Sequence, residues 1–222
     1  MAKKVGPFSK VCRFFRSSSI LILLIFSLTL QNQFCLILSI VVFTEMTIKD
    51  ENDEAYANAA FINNSEEIVA DWIKKAEHFR LKKQDSGKAK IDIAYGASDR
   101  QKCDIFQPDT KPIGTVIFVH GGYWIDFDKS YWSHFASGVL ANGYRFIVPS
   151  YDLCPTVKIS DITYQIRDLL FYVLENYDGL ISLTGHSAGG HLVSRMVSTD
   201  QWNRSKLRSN LLKRLNHVVA IS

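Results

Sequence analysis

The stretch "LTGHSAGGHL", Leu183 to Leu192, sets Ser187 between glycines as Gly185-His186-Ser187-Ala188-Gly189, a G-x-S-x-G arrangement. An apolar run, "GLISLTG" (179–185), precedes it and reads as a strand, and "AGGHLVSRMVS" (188–198) follows as a helix. The spacing has a steric reason. On so sharp a strand-to-helix turn the serine is forced into a strained backbone conformation that exposes its hydroxyl. Side chains at Gly185 or Gly189 would crowd the neighbouring strand and helix.

A second glycine motif, His120-Gly121-Gly122-Tyr123-Trp124, closes the apolar run "TVIFVHGG" (115–122). Its glycines let backbone N–H groups of Gly121 and Gly122 point into a site. With the N–H of Ala188 they form an expected oxyanion hole for charge developing on a carbonyl oxygen under attack by Ser187.

Working outward, strands and helices alternate. "SEEIVADWIKKAEHFR" (65–80) reads as a helix opened by Asn64 as N-cap with Glu67 three residues on, its apolar face made of Ile68, Trp72, Ile73 and Ala76. "IDIAYG" (91–96) and "KCDIFQP" (102–108) read as short strands, "YWSHFASGVLANG" (131–143) as a helix closed by Gly143, and "YRFIVPSY" (144–151) as a strand. "ISDITYQIRDLLFYVLENY" (159–177) places Ile162, Ile166, Leu169, Leu170, Val173 and Leu174 at helical spacing, and "HVVAIS" (217–222) starts a last strand. The alternation implies α/β class, with right-handed crossovers and a mostly parallel sheet in a three-layer arrangement. Ligands then gather at the carboxyl ends of the strands, where both glycine motifs fall.

The 222 residues, 47% of them hydrophobic, are enough for one globular domain with a core. The net charge of +4 is unevenly placed. Lys3, Lys4, Lys10, Arg13 and Arg16 precede residue 45 with no acid among them, leaving the rest near neutral, so no nucleic-acid partner is expected. The basic run from Arg204 to Arg214 reads as a solvated helix face. Cys12, Cys35, Cys103 and Cys154 lack metal-ligand spacing, so no metal and no cofactor is expected.

Residues 1–45 form a basic leader and hydrophobic segment, and residues 46–222 the catalytic-type domain. Ile20 to Phe43 is long enough to span a bilayer, although Gln31, Asn32 and Gln33 interrupt it. The segment reads as a signal anchor, a signal peptide or an unused extension. The first two imply a membrane or secretory location through residues 20–43, and a start at Met46 implies the cytoplasm.

The two motifs carry a family resemblance. The chain resembles α/β-hydrolases and, among them, the kynurenine formamidase (arylformamidase) group. Lipase-like members tend to have a third glycine where Tyr123 stands, whereas a loop ending in Trp124 is similar to the arylformamidase pattern, as are "YGASDRQKCDIFQP", "PSYDLCP" and "GHSAGGHL". The resemblance implies hydrolysis of N-formyl-L-kynurenine to L-kynurenine and formate, with Ser187 as nucleophile. Tyr123 and Trp124 then border the aromatic leaving group or, for Trp124, pack under the loop, and His120 and His186 shape the loop and elbow.

In this fold the triad acid and histidine follow the serine. Nothing suitable follows here. Asp200 is expected at the far end of the elbow helix, His191 as a packing residue and His217 at the amino end of the last strand. The expectation is therefore a hydrolase domain lacking its C-terminal strands and helices, with a triad Asp and His absent and little or no activity. The alternatives are a general carboxylesterase of the same fold, acting on a small ester, or a non-catalytic binding protein. A homodimer is left open.

Overall fold

The computed structural model describes residues 54–198 and 206–222. Compact units divide after Ser65. In the first, the described residues include a short 3-10 turn, Asn58–Phe61. The second holds the sheet and its helices.

Helix α1 (Ser65–Asp85) leads into β1 (Ala89–Ala94), β2 (Lys102–Phe106) and β3 (Gly114–Val119). Two 3-10 turns, Lys129–Tyr131 and Ser133–Phe135, enter α2 (Ala136–Ala141). Then come β4 (Arg145–Pro149), α3 (Ile159–Asn176), β5 (Leu180–His186), α4 (Ala188–Val197), α5 (Lys206–Arg214) and β6 (Leu215–Ile221). The strands form one sheet in the order β1-β2-β4-β3-β5-β6. The pairs β4-β3, β3-β5 and β5-β6 are parallel, while β1-β2 and β2-β4 are antiparallel. The sheet is mostly parallel, as the βα alternation implies.

Each strand alternates its side chains between two cores. On one face Cys103, Ile105, Ile117, Val119 and Ile147 pack against the α3 stripe Ile162, Ile166, Leu169, Leu170 and Val173 and the α4 residues Leu192, Val193 and Met196. Burying each such aliphatic side chain stabilises the fold by about 1.5–3 kcal/mol relative to leaving it exposed. On the other face Phe106, Phe118, Phe146 and Val148 meet Trp132, Ala136 and Leu140, with Trp72 and Phe79 of α1 against them. Helices on both faces of the sheet give three layers.

Four sequence expectations need correction. The buried stripe of α1 holds Ala76, with Trp72 and Phe79 packed on the aromatic core, while Ile68 and Ile73 are exposed. The core offers an aromatic surface, and the helix rotates its own aromatics toward it. Asn64 has φ +59°, the left-handed region, not the extended conformation of an N-cap. The helix expected over 131–143 is six residues of α-helix, because Lys129 and Ser133 are buried and the chain turns tightly to place them. The basic 206–214 segment is helical, but it is not solvated throughout: Leu211 is buried. Arg214 donates to the carbonyls of Leu174, Tyr177 and Gly179, satisfying the end of α3.

Among the described residues no helix is long and apolar enough to cross a membrane. The tract 20–43, which reads as part of a signal anchor, a signal peptide or an unused extension, lies outside the described residues, as does Asp200.

Candidate active site

Ser187 sits between the end of β5 and the start of α4 with φ +53° and ψ −118°, a conformation that ordinary side chains rarely adopt. Its surroundings hold it there. Its N–H donates to the Ile221 carbonyl at 2.7 Å, and its carbonyl accepts from the N–H of His191 at 3.2 Å, the first turn of α4. Ser187 is exposed and Ala188 is buried.

The glycines of the elbow are there for space. A Cβ on Gly185 would lie 2.2 Å from the Gly189 carbonyl oxygen, and one on Gly189 would lie 2.0 Å from the Val119 oxygen and 2.6 Å from that of His120. The elbow helix thus rests directly on the end of β3, where the second motif begins. A Cβ on Gly121 would lie 3.0 Å from the Ser187 Cβ, so the two motifs adjoin. Gly122 has φ +102°, and Tyr123 and Trp124 follow at φ +49° and +59°, three consecutive residues in the left-handed region. The loop is held in this shape by N–H groups of Ile125 and Asp126 donating to the Gly122 carbonyl at 2.9 and 3.0 Å.

His120 is fully buried. Its Nδ1 lies 2.8 Å from the Gly121 carbonyl, and its ring stacks on Tyr151 at 4.3 Å between centroids and 12° between planes. Tyr151, also fully buried, donates its hydroxyl to the His120 carbonyl at 2.8 Å, with the Gly121 carbonyl at 3.3 Å. Trp124 packs against the α3/α4 core and meets His191 edge-on at 5.4 Å, and its carbonyl accepts from the N–H of Cys154 at 2.8 Å. Tyr123 and Ile125 of the glycine loop and His186 and His191 of the elbow are exposed.

All six histidines of the sequence fall among the described residues, and none is ion-paired with a described carboxylate. His191 makes its contact with Trp124. His217 is on β6 opposite Ser182, four residues from Ile221, roughly 13 Å down the strand from the elbow. Among the described residues no cluster of metal-ligating side chains occurs.

Burial pulls the His120 imidazole down to about 4, against the opposing effect of its bond to the Gly121 carbonyl. The folded protein therefore binds this proton only near pH 4, whereas an unfolded histidine binds it below about 6.5. Stability contributed by neutral His120 is complete above pH 6.5 and is lost as the pH falls toward 4, by about 3 kcal/mol. Urea melts of the protein and of His120→Asn between pH 7 and 4.5 check this. The histidine's share of the slope must vanish in the variant, and parallel slopes would refute it.

Sequence reasoning did not find Tyr151, Arg100, Asp152 or Gln165. Arg100 donates through Nε to the Tyr151 carbonyl and through Nη2 to the Phe127 carbonyl, both at 2.7 Å. Gln165 of α3 clasps Asp152, donating to its carboxylate at 2.7 Å and accepting from its N–H at 2.8 Å. The local signals were the segments "YGASDRQKCDIFQP", which holds Arg100, and "PSYDLCP", which holds Tyr151 and Asp152.

A parallel-centred sheet with helices on both faces, a strained serine at the end of a central strand and a glycine loop beside it define an α/β-hydrolase fold. The BD-FAE family profile matches residues 103–219, and the chain belongs to that family. The kynurenine formamidase of Salmo salar is 30% identical over 118 residues, covering 51% of this chain and 40% of that protein. That of Drosophila melanogaster is 29% identical over 127 residues, covering 54% and 42%. The chain thus spans about two fifths of the length of these relatives. A solved structure from Silicibacter sp. TM1040, provisionally assigned as a thioesterase, is 44% identical, with a TM-score of 0.69 over 75% of this chain and 61% of that one.

Proposed function

We propose that the protein is a serine hydrolase of the arylformamidase type, cleaving N-formyl-L-kynurenine to L-kynurenine and formate. The observation that carries the reading is the exposed Ser187 at φ +53°, seated against the Gly121 loop. In this mechanism Ser187 Oγ bonds to the formyl carbon and gives up its proton. The N–H groups of Gly121, Gly122 and Ala188 hold the oxyanion. The C–N bond then breaks, the aromatic amine leaves with a proton, and water releases formate from the serine ester. Tyr123, and the exposed side of the loop with it, borders the aromatic leaving group.

A base must take the serine proton, and among the described residues no histidine is ion-paired with a carboxylate. A serine hydroxyl without its base is a poor nucleophile, although oxyanion donors alone retain some acceleration over water. The 44% identity to a structure provisionally assigned as a thioesterase favours a second reading, an ester or thioester hydrolase.

The two separate by substrate preference. With Ser187→Ala as the blank, kcat/KM for N-formyl-L-kynurenine is expected to exceed that for p-nitrophenyl acetate by about tenfold or more. The reverse preference supports the esterase reading. Hydrolysis no faster than the Ser187→Ala blank would reject both in favour of a non-catalytic binding role.

A further inference from the structure

The loop that adjoins Ser187 is gripped from behind by two side chains outside both motifs. We propose that Arg100 and Tyr151 are positioning residues that aim the N–H groups of Gly121 and Gly122 at the serine. This rests on the reading of those groups as oxyanion donors.

The reasoning begins with the peptide unit. In a trans peptide the carbonyl of one residue and the N–H of the next point in opposite directions. The Tyr151 hydroxyl lies 2.8 Å from the His120 carbonyl and 3.3 Å from that of Gly121. Both carbonyls are thus turned toward the buried phenol, and the N–H groups of Gly121 and Gly122 are turned away from it. Gly121 adjoins Ser187, whose Cβ would lie 3.0 Å from a Cβ added there, while its carbonyl faces the phenol, and the N–H groups turned away from the phenol are assigned to the elbow side.

The phenol is itself fixed. Its ring stacks on His120, and burial holds its hydroxyl protonated, well above the ordinary tyrosine range, so it remains a donor. Arg100 reaches the Tyr151 carbonyl with one nitrogen and the Phe127 carbonyl with another. One guanidinium therefore ties the residue behind the loop's start to the loop's far end. The N–H of Lys129 donates to Ser150 Oγ at 3.0 Å and adds a second stitch between the same two segments. Three consecutive left-handed residues in the loop, 122 to 124, give it a conformation that relaxes unless its ends are held. Donors that are held before the reaction cost no reorganisation when charge develops.

Tyr151→Phe removes one oxygen and keeps the ring stack, and Arg100→Lys keeps the charge but not the two-pronged reach. Two readouts are taken on the full chain: hydrogen exchange of the Ile125 and Asp126 amides, which bond to the Gly122 carbonyl, and Ser187-dependent hydrolysis. Both variants are expected to speed exchange of these amides by about tenfold while β3 and β5 amides stay unchanged. The kcat is expected to fall by about tenfold with KM unchanged, since the interaction matters only as charge develops. Unchanged exchange overturns the proposal, and so does a loosened loop with undiminished kcat. If the unaltered chain shows no Ser187-dependent hydrolysis, the hydrolase reading fails, and the exchange result by itself decides whether the brace holds the loop.

Discussion

Gly189→Ala is expected to unfold the domain or cost on the order of 4 kcal/mol, although alanine is the better helix former. The added methyl would stand 2.0 Å from the Val119 carbonyl oxygen and 2.6 Å from that of His120, and neither is the end of a flexible side chain. Val119 is the last residue of β3, a central strand paired on both sides. Relief requires that α4 lift from the sheet, taking Leu192, Val193 and Met196 out of the core and separating Ser187 from the Gly121 loop. A domain of this size has only about 5–15 kcal/mol to lose. Gly138→Ala is the control. It lies in α2, nothing stands within 4 Å of the added methyl, and a gain of about 1 kcal/mol is expected from helix propensity. Chemical denaturation of both variants beside the parent decides the matter: equal stabilities would show that the elbow tolerates a side chain and that its glycine is not required for space.

That contrast shows which parts of the molecule are legible in a sequence. Gly185, Gly189 and Gly121 are demanded by contacts across a few residues of turn geometry, so the chemistry is written locally and the elbow can be read directly. The apolar runs of β3 and β5 are equally plain, because a strand covered on both faces has no polar alternation to hide it. The α1 face was misread because Ile68, Trp72, Ile73 and Ala76 do make a helical stripe. What selects the neighbouring stripe through Phe79 is the ring-lined surface of Phe106 and Trp132, far away in sequence. The supports of the site were illegible for the same reason. Arg100 meets its two carbonyls 51 and 27 residues away, and no periodicity or motif announces a pair that only the folded sheet brings together.

Lys129→Met is the other substitution expected to act strongly, with a loss of about 3–5 kcal/mol. Lys129 follows the glycine loop and is buried beside β2, its ammonium 3.0 Å from Asp104 and 2.8 Å from Asp92. The Asp104 side chain is fully buried, and Arg80 stands 3.6 Å from its second oxygen. Burial already pushes the Asp104 carboxyl above its ordinary value, with Lys129 pulling it down. Burial likewise pulls the Lys129 ammonium down, but the Asp104 and Asp92 carboxylates together outweigh it and hold Lys129 raised. Removing the lysine leaves a carboxylate in the core with one distant arginine and the Asp92 N–H as its chief remaining partners. That cost exceeds the net worth of the intact pair, since each partner offsets the other's desolvation. The pH dependence follows in sign. The variant's Asp104 has a folded value further above the unfolded one, so its protonated form favours folding at low pH and that contribution is lost as the pH rises through the folded value. The deficit of Lys129→Met is therefore smaller at pH 5 than at pH 7. Adding Asp104→Asn, which removes the stranded charge, is expected to recover most of the loss, and denaturation of the two single variants and the double variant measures the coupling. A double variant no more stable than Lys129→Met would mean that the lysine acts by packing its aliphatic stem under the loop and not by neutralising Asp104.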